Sequence, residues 1–146
     1  MIDSKSHILD LDLMSVSQVE SILDDADEMT KILNSDFKKT EALKGKTIIT
    51  LFFEPSTRTR SSFEQAGKIL GADVINIVNS SSSSKKGESL YNTALTIQSI
   101  KSDVIVLRHP HSGAPYFLSN LLKESTIINA GDGMHAHPTQ ALLDMY

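Results

Sequence analysis

Apolar residues along this chain follow two rhythms that alternate. Val19, Ile22, Leu23, Ala26, Met29, Ile32 and Leu33 keep helical spacing with acidic residues between them. This predicts an amphipathic helix over residues 16–34, capped by Ser15 or Ser17. A polar stretch runs on through Lys46. Four short apolar runs then read as strands, at 47–53, 74–78, 103–107 and 126–130. Helical patterns fill the gaps at 57–70, 88–101 and 114–123, and a further helix opens at Pro138. In the first of these, Phe63, Ala66, Gly67 and Leu70 fall at i, i+3, i+4 and i+7, the stripe expected to face a sheet.

Strand and helix alternate with short connections, and the strands are continuous apolar runs. Strands of that kind are covered on both faces, so the fold class is α/β: a three-layer α/β/α arrangement around a four-stranded parallel sheet. In such sheets ligands bind beyond the carboxyl ends of the strands, where the strand order reverses. The polar clusters below all follow a strand or sit in a strand-to-helix connection. No internal repeat is apparent.

Composition narrows the function classes. The 146 residues fit one ordinary domain, with 40% hydrophobic and 22% charged positions. A net charge of -4 argues against a nucleic-acid partner held on a broad basic surface. There are no cysteines, which removes disulfides and thiolate catalysis and accords with a reducing compartment. No apolar run approaches the roughly 20 residues that cross a bilayer. Residues 1–7 lack the basic and apolar regions of a signal peptide, so the expectation is a cytoplasmic protein without a membrane partner.

The basic residues that matter are local. Pro55-Ser56-Thr57-Arg58-Thr59-Arg60 places three hydroxyls and two guanidinium groups where a strand hands over to a helix. The first N–H groups of a helix have no internal partner and carry the positive end of its dipole. Hydroxyls and arginines added to them make a socket for a dianionic phosphate. No glycine-rich dinucleotide or nucleoside-triphosphate loop occurs. Arg108-His109-Pro110 follows the third strand, where an arginine fork could bridge phosphate and carbonyl oxygens. His137-Pro138-Thr139-Gln140 follows the fourth strand and the turn Gly131-Asp132-Gly133. His137 is either a satisfied core histidine or a donor that polarises a carbonyl, with Gln140 contacting an amide. His109 with His111, or Asp132 with His135 and His137, lacks a recognised metal-ligand spacing. Five serines at 80–84, followed by Lys85-Lys86-Gly87-Glu88, read as a solvated linker or as a lid over the phosphate.

Together the block Phe52–Glu64 around Ser-Thr-Arg-Thr-Arg, the loop Lys85–Glu88, Arg108-His109-Pro110 and His137–Gln140 resemble the aspartate carbamoyltransferase catalytic chain. The four motifs occur in register and cover essentially the whole sequence. The ornithine enzymes share the Ser-Thr-Arg-Thr-Arg core, but Glu54 and the Lys-Lys-Gly-Glu loop favour the aspartate family. The resemblance implies that residues 1–146 are a carbamoyl-phosphate-binding domain, with helix 16–34 and the Ser/Lys loop at 79–87. It implies transfer of a carbamoyl group to L-aspartate in pyrimidine (UMP) biosynthesis. By the same resemblance Ser56, Thr57, Arg58 and Thr59 hold the phosphate, and Arg108 bridges phosphate and carbonyl oxygen. Thr59, Arg108 and His137 stabilise the oxyanion, and Gln140 binds the carbamoyl NH2. Ser82 and Lys86 reach into a neighbouring subunit's site within a homotrimer, and regulatory or dihydroorotase-type partner chains are compatible with the family. No metal, covalent intermediate or organic cofactor is implied.

The helix begun at Pro138 breaks off at Tyr146 without a cap or stop signal. The expectation is a fragment whose aspartate-binding domain lies elsewhere, and which has no significant turnover alone. Two other readings stay open: a non-catalytic phosphate-binding domain used in assembly, and a carbamoyltransferase with another amine acceptor such as ornithine.

Overall fold

The computed structural model describes residues 6–78 and 89–146. Four strands, β1 (Thr47–Phe52), β2 (Asp73–Val78), β3 (Val104–His109) and β4 (Thr126–Asp132), form one sheet in the order β2-β1-β3-β4. All three pairings are parallel. The chain leaves β1 for β2 on one side and then returns to place β3 on the other. The strand order therefore reverses between β1 and β3, which is where a ligand crevice opens.

Alternation along each strand splits the core in two. Ile49, Leu51, Ile105, Leu107 and Ile127 pack on one face with Ala94 and Ile97 of α3 (Leu90–Ile100) and Leu118 of α4 (Ala114–Leu121). Ile48, Phe52, Val106 and Ala130 pack on the other, with Phe63 of α2 (Thr57–Ile69) against them. Helix α5 (Pro138–Met145) touches β4 as well. This is the three-layer arrangement that continuous apolar strands require.

Helix α1 (Val16–Leu33) starts at Ser15, not Ser17: Ser15 accepts from the Gln18 backbone N–H while the Gln18 side chain accepts from the Ser15 N–H. Its apolar stripe is half-buried and no residue of α1 is fully enclosed. Two strands run further than their apolar runs. β3 continues through Arg108 and His109, and β4 through Gly131 and Asp132, so these polar residues end strands instead of following them. Hydrogen bonding to the neighbouring strand carries them past the point where hydrophobicity stops.

The stripe on α2 also needs correction. Gly67 is buried and Phe63 and Leu70 are half-buried, but Ala66 is exposed. The helix crosses the sheet at Gly67, where an added Cβ would stand 2.7 Å from Val74 Cγ2. Close approach there rotates Ala66 off the sheet. The serine-rich loop, with Ser82 and Lys86, lies outside the described residues.

Candidate active site

Register fixes the first meeting of the predicted residues. Phe52 of β1 lies beside Arg108 of β3, and the Phe53 N–H donates to the Arg108 carbonyl at 2.9 Å. The segment leaving β1 therefore starts at the base of the Arg108 side chain. Ser56 is the N-cap residue of α2, yet its hydroxyl makes no cap hydrogen bond. At Ser15 and Ser89 the cap hydroxyl accepts from the backbone N–H three residues on. At Ser56 the hydroxyl and the first-turn N–H groups are left to an external acceptor. Thr57 and Arg58 are exposed, and Thr59 and Arg60 half-buried, in the turn that follows.

Arg108 is aimed across the sheet edge. Its Nη1 donates to the Ala130 carbonyl at 3.1 Å, and its Nε lies 3.6 Å from Glu54 Oε2. That distance gives an ion pair but no hydrogen bond, and Nε is buried with no hydrogen-bond partner among the described residues. Gly131 lets the guanidinium lie flat. A Cβ at that position, where φ is +112°, would stand 2.9 Å from Arg108 Nη1 and 3.2 Å from His137 Cδ2. Arg108 and His137 thus both flank Gly131.

His137 caps α5, and its Nδ1 accepts from the Gln140 N–H at 3.3 Å. A neutral imidazole that accepts at Nδ1 carries its proton on Nε2, so Nε2 is left as a donor. Burial, and then the positive charge of Arg108, hold the His137 pKa below 6.5. The ring is therefore neutral near pH 7, a hydrogen-bond donor and not a cation. It is half-buried, and among the described residues its Nε2 has no hydrogen-bond partner.

A groove of about 310 Å3 runs between α2 and α5, lined by Arg58, Thr59, Ser62 and Ala66 on one side and His137 and Gln140 on the other. Gln140 lines it without pointing its amide inward: Nε2 donates to Asp144 Oδ1 at 2.8 Å. Of the residues read from the sequence, the structure thus brings together Ser56, Thr57, Arg58, Thr59, Arg108 and His137. Gln140 lines the same groove with its amide turned to Asp144. A larger hollow of about 520 Å3 lies at the amino-terminal edge of β3 and β4. Its only cation among the described residues, Lys101, shares the wall with Asp103 and Glu124, which cancels the field an anion needs.

Two roles were not read from the sequence. Glu54, noted only as a mark of the family, pairs with Arg108, and Asp132, considered as a turn residue and metal ligand, is a buried hydrogen-bond hub. Among the described residues no three His, Asp or Glu side chains are grouped so as to hold a metal ion.

An open parallel sheet with cationic and neutral donors gathered at its strand-order reversal defines a small-ligand-binding α/β domain. More narrowly, the chain belongs to a family: the model of the aspartate/ornithine carbamoyltransferase, carbamoyl-P binding domain matches residues 6–146. It is 56% identical over 140 residues to the aspartate carbamoyltransferase catalytic subunit of Dehalococcoides mccartyi (strain CBDB1), covering 96% of this chain and 42% of that protein. Identity to the corresponding subunit of Chloroflexus aurantiacus (strain J-10-fl) is 49%, over 100% of this chain and 47% of the relative. Among solved structures, the catalytic subunit of M. Jannaschii aspartate transcarbamoylase superposes with a TM-score of 0.86 at 44% identity, covering 96% of this chain and 45% of that one. The Trypanosoma cruzi aspartate transcarbamoylase in complex with carbamoyl phosphate and aspartate gives 0.85 at 36% identity, covering 97% and 43%. The chain spans less than half the length of these relatives.

Proposed function

We propose that this chain supplies the carbamoyl-phosphate half of an aspartate carbamoyltransferase. The observation that carries the reading is that Arg108 and His137 flank Gly131 at the sheet edge where the Ser56–Thr59 helix start leaves β1. One cationic fork, one neutral imidazole donor and one open helix N-terminus meet at a single sheet edge. A carbamoyl phosphate presents the matching set: a phosphate dianion, a carbonyl oxygen and an amide NH2.

In this reading Ser56, Thr57, Arg58 and Thr59 hold the phosphate with hydroxyls, guanidinium and first-turn N–H groups. Arg108 spans phosphate and carbonyl oxygen. The amine of L-aspartate attacks the carbonyl carbon, forming the C–N bond and pushing charge onto that oxygen. Thr59, Arg108 and the Nε2–H of His137 receive the charge as preorganised donors. The C–O bond to phosphate then breaks with its electron pair, and the amine's proton leaves with the phosphate. The products are N-carbamoyl-L-aspartate and phosphate, an entry step of pyrimidine synthesis. Gln140 binds the carbamoyl NH2 once it releases Asp144. Ser82 and Lys86 act from a neighbouring subunit of a homotrimer in the cytoplasm, and the aspartate carboxylates are bound by residues outside this chain.

The test is a comparison of turnover and affinity in the intact protein. His137→Ala should lower kcat by about 10²–10³-fold, the usual cost of an oxyanion donor, while carbamoyl-phosphate affinity changes far less. Equal small effects on both would favour a binding module that does no chemistry. Ornithine in place of aspartate as acceptor should give no product, and carbamoylation of ornithine would move the reading to the sister enzyme.

A further inference from the structure

The turn that delivers His137 closes on a buried carboxylate. Asp132 ends β4 with no solvent exposure. Its Oδ1 accepts from Asn129 Nδ2 at 3.0 Å and from the Ala136 N–H at 3.1 Å, and its Oδ2 accepts from the Gly113 N–H at 2.8 Å. The ring Nδ1 of His135 lies 3.1 Å from Oδ2, and His135 Nε2 lies 3.5 Å from Asp10. The backbone repeats the closure: the Asp132 N–H donates to the Ala136 carbonyl at 3.1 Å, and the Gly133 N–H to the His109 carbonyl at 3.0 Å.

This arrangement is costly unless geometry is its purpose. Burying a carboxylate carries a large desolvation cost before its hydrogen bonds offset it. A turn alone could be closed by backbone bonds, as this one also is. What the carboxylate adds is a tie between elements. It fixes the start of α4 through Gly113 and the approach to α5 through Ala136. The neighbours of the tied segment are Gly131 on one side and His137 on the other, and the Arg108 guanidinium and the His137 ring both lie beside Gly131.

We propose that Asp132 is a positioning residue of the anion site, locking residues 132–136 so that His137 and Gly131 meet the Arg108 guanidinium. The proposal rests on the anion-site reading above and adds the element that sets its geometry. Asp132 touches no ligand in it. Release of the turn would let Gly131 and the His137 ring shift from the Arg108 guanidinium and so loosen its grip on the phosphate, while Ser56–Thr59 stay in place.

The experiment measures inorganic phosphate binding and the NMR titration of the His137 ring in the intact protein, wild type against Asp132→Asn. An amide cannot accept from three N–H groups as the carboxylate does. Phosphate affinity should fall about tenfold, within the range that a misplaced binding group costs. The His137 midpoint should rise toward 6.5, because the ring leaves the Arg108 charge and its half-buried place. A folded Asp132→Asn protein with unchanged affinity and an unchanged His137 midpoint overturns the proposal; a purely structural role would lower the melting temperature only. Should Asp132→Asn fail to fold, His135→Ala decides. It removes one neighbour of the carboxylate at a half-exposed position. Its His137 midpoint should move in the same direction by a smaller amount, and no movement overturns the proposal. Wild-type protein that binds no phosphate would instead sink the anion-site reading, so the two failures are distinguishable.

Discussion

His137 shows how much of a residue's role is set by what it accepts. Its Nδ1 is occupied by the Gln140 N–H, which leaves Nε2 as the donor and makes neutrality the working state. Burial and Arg108 both disfavour the imidazolium. Replacing Arg108 by Met should therefore raise the His137 titration midpoint, read by NMR of the ring; a midpoint that stays or falls would place the two groups apart. Gly131 has a sharper consequence. Alanine there combines a strained φ of +112° with a Cβ 2.9 Å from Arg108 Nη1. Strain of this kind costs about 1–3 kcal/mol, so thermal unfolding of Gly131→Ala should report a loss of that order together with weakened phosphate binding. Unchanged values in both would mean that Arg108 does not rest on Gly131. The sequence displayed Ser56–Arg60, Arg108 and His137 plainly, because phosphate chemistry demands hydroxyls, arginines and a donor at strand ends. It did not display what Asp132 accepts or that Glu54 pairs with Arg108. Their roles come from partners far along the chain, and a lone carboxylate has no spacing that announces what it accepts.

At the scale of elements, hydrophobic rhythm placed each α-helix and strand of the described residues within a residue or two, but not the short 3-10 turn at Leu11–Leu13. Where it failed, hydrogen bonding decided. The ends of β3 and β4 carry Arg108, His109, Gly131 and Asp132, polar residues that a hydrophobicity reading stops short of but that the sheet ladder still holds. The stripe on α2 failed at Ala66 for another reason: Gly67 permits such close packing on Val74 and Ile48 that the helix turns its neighbour out to the groove. The contact makes its own prediction. Gly67→Val places side-chain atoms where even a Cβ is 2.7 Å from Val74, and overpacking of this kind costs about 1–3 kcal/mol. Gain of helix propensity offsets less than about 1 kcal/mol of it. Denaturant unfolding should show a net loss, and a net gain would mean that α2 lifts freely from the sheet. Lifting would also move Ser56–Thr59, so the same variant should weaken phosphate binding.

For the whole molecule, the decisive fact is the strand order β2-β1-β3-β4. Alternating strands and helices in sequence imply a parallel sheet, but not which strands are neighbours. Residues 56–60, 108 and 137 converge only because β1 and β3 are adjacent and β4 follows β3. Periodicity carries no information on that adjacency; the resemblance of four motifs to one family did. The net charge of -4 makes the anion site a local exception on an acidic protein. Attraction of a dianion then depends on short-range contacts with Arg58 and Arg108, since a general field is missing. Raising salt from 50 to 500 mM should accordingly weaken phosphate binding only modestly; a collapse with salt would point to long-range attraction instead.

The central claim is that Ser56–Thr59 and Arg108 grip the phosphate of carbamoyl phosphate. Calorimetric titration of carbamoyl phosphate into wild type and Arg58→Ala tests it most directly. Loss of one charge-assisted contact of about 1.5–3 kcal/mol predicts binding weakened by about 10- to 150-fold, with the variant's melting temperature unchanged because Arg58 is exposed. Wild-type binding retained in Arg58→Ala would contradict the account.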